Sequence, residues 1–402
     1  MPKKCKIIQP EYVKYFKCSA NNCENDTCCS GWMIYVDKNA YDKCKNIKET
    51  EIRKKIDQAL LITKNNSSIR NYAYIKFNKS GLCPLLTDDG LCSLHLKYGE
   101  EYLGEVCNLY PRIICKLNGS YIQSLSMGCI EAAKLCLLNP EGINFEMIEV
   151  NHQEKFDVSA PIFTDNYENQ EFINIQICII MILQNKTINF TERLLVLGYF
   201  LSELEQILFS KRYGEIGNLV YKYQSSNYGI FETSNLQNKQ EIKIRIIFDI
   251  IDKRINKGIN NKTFYGFLES FHKGFILEEE MDLYDLINKY KEGYSKLRKN
   301  IFDEYQYIWE NYFVNTIFRE VIPLNAGGYK VTKSYFVLAL QYALLECFLV
   351  GIINYNENLT TEDIVKFIAS FERVFPYNYL DKCYDDLSVE LKDNFEFYKA
   401  LL

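Results

Sequence analysis

Histidine is almost missing from this chain, with three in 402 residues. Any metal site must therefore rest mainly on other ligands. The opening Met1-Pro2-Lys3-Lys4-Cys5-Lys6-Ile7-Ile8-Gln9-Pro10 contains no apolar core of a secretory signal, so a cytoplasmic protein in a reducing compartment is expected. No internal repeat and no low-complexity tract is visible. Lysines and arginines form no dense run, so nucleic acid is not an expected partner. The formal net charge of −5 is too small to imply a partner by itself. With 48% apolar and 25% charged residues, the chain has the composition of an ordinary globular protein. Its length allows two domains or one large one.

Long apolar runs are also scarce. The one segment that invites a membrane reading is Ser334–Tyr355, SYFVLALQYALLECFLVGIINY. Gln341 and Glu346 interrupt it near its middle, where a carboxylate would be costly in lipid. A buried core helix is the expectation, with no membrane partner.

Cysteine is plentiful and unevenly placed. Twelve of the 15 lie at or before Cys136, and the remaining 266 residues hold only Cys178, Cys347 and Cys383. Charge divides at the same point: residues 1–136 carry 20 Lys and Arg against 14 Asp and Glu, and the rest carry 27 against 38. Metal-bound thiolates would offset some of the N-terminal excess. The isolated late cysteines are read as small buried hydrophobes.

Periodicity separates the two parts further. Residues 1–45 read as irregular chain organised around cysteines. Lys48–Thr63 has helical spacing, with Ile52, Ile56, Leu60 and Leu61 on one side. Asn71–Cys92 reads as short strands and turns, Asp89-Gly90 being a good hairpin turn. Glu100–Leu109 predicts a short helix that stops before Pro111. Residues 145–165 read as a connection. Beyond it helices are expected at Gln170–Gln184, Thr191–Leu208, Lys239–Asn256, Met281–Arg319, Ser334–Asn354 and Thr361–Arg373, with no parallel sheet. Asn189-x-x-Glu192 has the form of a capping box. The expected fold is mainly α: a Cys-rich metal-binding module over 1–145, irregular with few short strands, fused to an α-helical domain over 160–402.

The chemistry is carried by two cysteine groups. The first is Cys18-x4-Cys23-x4-Cys28-Cys29, and the second is Cys83-x8-Cys92-x14-Cys107, with Cys115 and Cys129 behind it. Thiolates are soft ligands suited to zinc and to iron–sulfur clusters, and clustered cysteines in a reducing compartment point to metal. His95, in Cys92-x2-His95, could add a ligand. An all-thiolate site fits zinc and iron–sulfur alike. The eight thiols other than Cys115 exceed the four ligands of one cluster, so some must play another part. Adjacent Cys28 and Cys29 rarely point the same way, so one of the two is expected to be the weaker ligand.

At these residues the chain resembles the flagellin lysine-N-methylases, whose Cys-rich region belongs to a wider group of zinc- or iron-chelating domains. The resemblance runs through Tyr12-x3-Phe16-x-Cys18, Cys23-Glu24-x2-Thr27-Cys28-Cys29-x-Gly31-Trp32, Asp37 and Tyr41. It continues in Cys83-Pro84-Leu85-Leu86-x3-Gly90-Leu91-Cys92, Gly99-Glu100, Cys107-x2-Tyr110-Pro111-Arg112 and Ser124-Leu125-Ser126-x2-Cys129-x-Glu131-Ala132. Near the far end stand Glu310-Asn311-Tyr312-x2-Asn315-x-Ile317-Phe318-Arg319 and Phe371-x-Arg373-Val374. One departure is Gly128-Cys129-Ile130-Glu131-Ala132, where the family usually reads Ser-Cys-Pro-Glu-Ala. No role carries over to Cys5, Cys44, Cys115 or Cys136.

The resemblance implies methyl transfer from S-adenosylmethionine to lysine ε-amines of flagellin, with a 4Fe–4S cluster in the enzyme and zinc as the alternative metal. No Gly-rich cofactor loop follows a clear strand, and Gly327-Gly328 reads as a turn, so a Rossmann methyltransferase domain is not expected. Glu310, Asn311, Asn315 and Arg319, at helical spacings of one, four and four, either line a cleft together or form an ordinary polar stripe. Their aromatic neighbours Tyr305, Tyr307, Trp309, Tyr312 and Phe313 are read mostly as core. The alternative function is a non-enzymatic metal-binding or electron-carrying protein with a helical interaction domain.

Overall fold

The computed structural model describes residues 4–19, 23, 27–64, 68–117, 120–151, 169–225, 240–259, 261–275, 283–323, 330–387 and 395–402. The chain is mainly α and divides into two compact units. One comprises Met1–Leu135, Phe145–Ile162 and Ile259–Thr263; the other comprises Cys136–Asn144, Phe163–Gly258 and Phe264–Leu402.

The first unit is more regular than its sequence promises. Lys4–Pro10 is a strand, β1, in which Ile7 is buried while Lys4 and Lys6 stay exposed, the period-2 pattern of a half-buried strand. It pairs parallel with Ser120–Leu125 (β6) and antiparallel with Phe145–Asn151 (β7). Arg112–Leu117 (β5) adds to β6, giving the order β5-β6-β1-β7. Ile7, Leu109, Ile114 and Tyr121 form the core against it. Across the sheet Gln123 Nε2 donates to Gln9 Oε1 at 2.9 Å, and Gln9 Nε2 donates to Glu146 Oε1 at 2.8 Å. Lys4–Pro10 of the expected irregular start and Phe145–Asn151 of the expected connection are therefore sheet; residues 152–165 of that connection lie outside the described residues.

A second sheet, β2-β4-β3, joins Tyr35–Val36 (β2), Leu60–Ile62 (β3) and Ala73–Ile75 (β4). Helices α1 (Lys38–Lys45) and α2 (Thr50–Ala59) precede β3. The expected Lys48–Thr63 helix stops at Ala59, because Leu60 adopts extended backbone and pairs with Ile75. Asp37 opens α1 by accepting from the Ala40 N–H. Short helices α3 (Ser93–Tyr98) and α4 (Glu105–Leu109) follow, then α5 (Ile130–Leu137). The Glu100–Leu109 expectation becomes a 3-10 turn, Glu100–Tyr102, followed by α4.

Among its described residues, the second unit contains helices and no strand. They are α6 (Asn169–Leu183), α7 (Phe190–Phe209), α8 (Ile216–Gln224), α9 (Gln240–Asn256), α10 (Lys262–Phe275), α11 (Leu283–Leu297), α12 (Gln306–Arg319), α13 (Val331–Asn356), α14 (Thr361–Val374), α15 (Tyr377–Asp385) and α16 (Phe395–Ala400). The Asn189/Glu192 capping box opens α7 with both reciprocal bonds formed. The expected single helix Met281–Arg319 is broken by a wider turn, Arg298–Phe302. Lys239, Met281 and the Gly327-Gly328 turn lie outside the described residues.

Helix α13 is long and apolar enough to span a membrane, yet its apolar stretch is wholly buried within this unit. The two polar residues at its middle find partners there. Gln341 Nε2 donates to Tyr312 Oη at 2.7 Å, and Glu346 accepts from Lys243 Nζ of α9 at 2.7 Å and from Tyr290 of α11. Phe264, Phe271, Phe348, Phe367, Phe371 and Phe375 interlock along one side.

Helices α10 and α13 cross with their backbones in contact. A Cβ at Gly274 would lie 1.7 Å from the Gly351 carbonyl oxygen, so only glycine permits the crossing. Gly266, on the same helix, has open space around its missing side chain. Gly274→Ala is expected to cost about 3 kcal/mol or more by overpacking, whereas Gly266→Ala is expected to gain about 0.5–1 kcal/mol of helix propensity. Denaturant melts followed by circular dichroism would compare the two, and equal midpoints would refute the close crossing.

Candidate functional site

The cysteine segments of the first unit are drawn together by backbone pairing. The Cys83 N–H donates to the Cys29 carbonyl at 2.9 Å, and Ser30 bridges to Leu82. The turn expected at Asp89-Gly90 is present: Gly90 has φ 76°, its N–H meets Thr87 O at 3.0 Å, and Leu86 bridges to Cys92. Cys92 then caps α3, and Ser93 binds back to the Leu85 carbonyl through N–H and hydroxyl. Cys107 sits on α4, and Trp32 Nε1 donates to the Cys28 carbonyl at 2.8 Å.

Both sequence groups meet electrostatically through Cys28, which repels the thiolates of Cys23, Cys83, Cys107 and Cys129. Cys92 acts on Cys83 and Cys107, and Cys18 on Cys23. Cys29, like Cys92, packs against the apolar cluster that contains Cys83, Ile34, Val36 and Ile56. Burial raises the thiols of Cys83 and Cys129 to about 11, reinforced by neighbouring thiols. Burial also pushes Cys107 and Cys23 up. Cys107 keeps part of its surface open to solvent. Opposing this, backbone N–H groups of Ala132 and Glu131 favour the Cys129 thiolate, and that of Leu85 favours Cys83.

Among the described residues, no three His, Cys, Asp or Glu side chains close into a ligating group. The donor chemistry nevertheless fits a soft cation. Neutral thiols gain little from one another, whereas a metal would reverse their mutual repulsion by favouring thiolates. Cys23, Cys28, Cys83, Cys92, Cys107 and Cys129 are the residues that would supply ligands to zinc or to an iron–sulfur cluster. His95 is exposed on α3. Cys44 is buried in the apolar cluster and donates to Tyr102 O at 3.4 Å.

In the second unit the stripe Glu310-Asn311-Asn315-Arg319 divides. Nine residues at 100° each carry a helix about two and a half turns, so Glu310 and Arg319 face opposite ways. Arg319 pairs with Glu372 of α14 at 2.9 Å and with Glu320 at 2.7 Å, and Tyr312 donates to the same Glu372. That cluster is buried; removing Arg319 would strand Glu372 and act on stability. Asn315 is buried as well.

Glu310 stands apart. It borders a cleft of about 350 Å³ that Arg193, Lys186, Thr187, Glu304 and Tyr307 also line. Glu310 is 1% exposed, and its Oε2 accepts from Arg193 Nη1 at 2.7 Å. Arg193, one turn into α7, also donates to the carbonyls of Ile188 and Leu183. Burial raises the Glu310 carboxyl, against the opposing pull of Arg193 and Lys186. Asn311 Nδ2 donates to Asn139 O at 2.8 Å, holding the turn that carries Gly142 beside Glu310. Gly142, Lys186 and Arg193 were not singled out from sequence. Only the cap Asn189-x-x-Glu192 hinted that this helix start is built with care.

Fold and site thus define a mainly α protein with a thiol-rich unit and a helical unit whose cleft is walled by a buried carboxylate. The FliB lysine N-methylase C-terminal domain matches residues 176–401, more than half of the chain, so the chain belongs to the FliB lysine N-methylase family, in agreement with the motifs between Tyr12 and Arg373. It is 23% identical over 393 residues to the "Lysine-N-methylase" of Salmonella choleraesuis, covering 94% of this chain and 93% of that one. The "Lysine-N-methylase" of Salmonella typhimurium is 22% identical over 391 residues with the same coverage. The "Flagellar biosynthetic protein FliU" of Salmonella muenchen is 32% identical over 143 residues, 35% of this chain and 82% of that protein. No solved structure matches.

Cys28→Ser is expected to abolish metal binding and Cys29→Ser to spare it, measured as iron, sulfide and zinc content after anaerobic purification. In metal-free reduced protein at pH 8, Cys83 and Cys129 should alkylate more slowly than an ordinary cysteine, because thiols raised to about 11 hold less reactive thiolate. Their rates should climb as the pH approaches 11. Rapid labelling of both at pH 8, read by peptide mass spectrometry, would contradict the assignment.

Proposed function

We propose that this protein is a protein-lysine methyltransferase that acts on flagellin in the cytoplasm, with S-adenosylmethionine as donor and a 4Fe–4S cluster held by its N-terminal cysteines. What carries the reading is the near end-to-end alignment with two proteins named for lysine N-methylation, covering 94% of this chain. The flagellar name of the third relative favours flagellin as the substrate. A thiol-only donor set that gathers through Cys28 favours a soft metal centre over a hard one.

The chemistry sets two tasks. A lysine amine has a pKa of about 10.4, so the ammonium must lose a proton before its nitrogen can attack. The amine must then lie in line with the methyl carbon and its leaving sulfur. Neither task needs a dinucleotide-type sheet, and among the described residues no strand follows Asn151. A cluster bound by the cysteines would supply a fixed anchor for their loops and, at an iron with a free position, a contact for a polar group of the donor.

The test is anaerobic purification with iron and sulfide analysis, followed by incubation with flagellin and S-adenosylmethionine. Flagellin should gain mass in steps of one methylene, mapped to lysines, and Cys28→Ser or Cys107→Ser should lose iron and methylation together. Iron-loaded protein that leaves flagellin unchanged but titrates reversibly in a redox assay would favour an electron-carrying protein instead.

A further inference from the structure

The cleft beside Glu310 has an unusual balance of hydrogen-bonding groups. Its two cations are engaged. Arg193 gives its donors to Glu310 and to the carbonyls of Ile188 and Leu183, and Lys186 donates to Pro140 O at 3.1 Å. Its buried carboxylate is only half engaged. Glu310 Oε2 holds Arg193, while Oε1 accepts no hydrogen bond among the described residues. A buried carboxylate oxygen without a donor costs free energy that a bound donor would recover.

Glycine at position 142 lets the backbone pack close against that buried oxygen. A Cβ at Gly142 would come within 2.9 Å of Glu310 Oε1, and Gly142 has φ 86°, which side chains rarely adopt. Asn311, through Asn139, fixes this turn in place. The remaining wall combines apolar surface from Pro140, Ile188 and Tyr307 with polar groups of Thr187, Asn189 and Gln306 and the exposed carboxylate of Glu304. The volume is at the lower end of small-ligand pockets. Apolar patches within a mostly polar lining, an acidic residue on it and one buried acceptor suit an alkylammonium, since an ammonium offers three donors and no acceptor on an apolar stem.

We propose that this cleft is the binding site for the substrate's lysine side chain, with Glu310 as the group that receives its ammonium and takes its proton. The inference rests on the lysine methyltransferase reading. One proton passes from the ammonium to Glu310 Oε1. The freed lone pair then forms the N–C bond to the methyl carbon of the sulfonium donor as the C–S bond breaks. That bonding pair stays on sulfur, which leaves as a neutral thioether, and the product nitrogen carries the positive charge as a methylammonium. Burial keeps the Glu310 carboxyl above the ordinary range for glutamate, which makes it a better proton acceptor than an exposed carboxylate.

Two variants of the full chain and one probe test this. Glu310→Gln removes the proton acceptor. Thr187→Trp fills the cleft from an exposed lining position and leaves the Arg193 pair untouched. Calorimetry with n-butylamine should show binding to the wild type and none to either variant. In the flagellin assay, Thr187→Trp should raise KM for flagellin while KM for the donor stays unchanged. Glu310→Gln, shown by circular dichroism and iron content to be folded, should lose about a hundredfold in kcat. Should Glu310→Gln not fold, Thr187→Trp and the amine titration decide alone. Wild-type butylamine binding and kinetics in Thr187→Trp would overturn the inference and leave the methyltransferase reading standing. Glu310-dependent amine binding in a protein that never methylates flagellin would support the amine site and sink that reading instead.

Discussion

A carboxylate taken out of water must be given a cation and hydrogen bonds, or it unfolds what surrounds it. Among the described residues the helical unit does this three times, each time across elements. Glu310 of α12 meets Arg193 of α7, Glu346 of α13 meets Lys243 of α9, and Glu372 of α14 meets Arg319 of α12. Two uniformly apolar helices can slide or rotate against each other at modest cost. A buried pair cannot, because either partner alone is several kcal/mol worse than both together. The three pairs therefore fix which helix faces lie against one another, and α12 takes part in two of them.

The pairs differ in what else they touch. Glu372 is filled by Arg319, Tyr312 and Gln341, with both oxygens engaged. Glu346 leaves Oε2 without a partner but is packed among Lys243, Tyr290 and Tyr342. Glu310 combines a spare oxygen with a place on a cleft wall. The same device that locks the helices thus leaves acceptor capacity at a residue that lines the cleft. Burial favours the protonated carboxyl, while pairing with Arg193 pulls towards the anion. A carboxylate poised between these effects can both hold an ammonium and accept its proton, which an exposed glutamate on a solvated helix face does less well.

Much of the helical unit was legible because helix periodicity is local: the 3.6-residue repeat placed α6, α7, α9, α13 and α14 with ends shifted by a few residues. The strands of the first unit were not legible for the opposite reason. β1 is held by β7, more than 130 residues away, and by β6 in parallel, and nothing in either segment alone announces the other. Leu60 shows the competition directly: its helical spacing is outweighed by pairing with Ile75. Cysteine density picked out segments that the backbone does join, as Cys83 N–H to Cys29 O shows. The cleft was half legible. Glu310 came from a motif, but Arg193, Lys186 and Gly142 come from three other segments. The helical stripe that grouped Glu310 with Arg319 ignored that nine residues bring the helix to its opposite face.

The thiol-rich unit poses the inverse electrostatic problem. There the buried groups share one sign when ionised, and each thiolate raises the pKa of its neighbours. Without a cation the balance is met by keeping protons on sulfur, which leaves Cys83 as a weak polar group within the apolar cluster. A soft cation would replace several protons at once, turn repulsion into attraction, and tie together loops otherwise joined by a few backbone bonds such as Cys83 N–H to Cys29 O. Binding and folding of this unit would then be one equilibrium, because each loop held for the metal would also be a loop held for the core. The excess of lysine and arginine in residues 1–136 fits the same account: a thiolate-bound centre carries negative charge that the counted composition omits. Metal affinity should thus depend on the apolar packing around Cys29, Cys44 and Cys92 as well as on the ligating sulfurs.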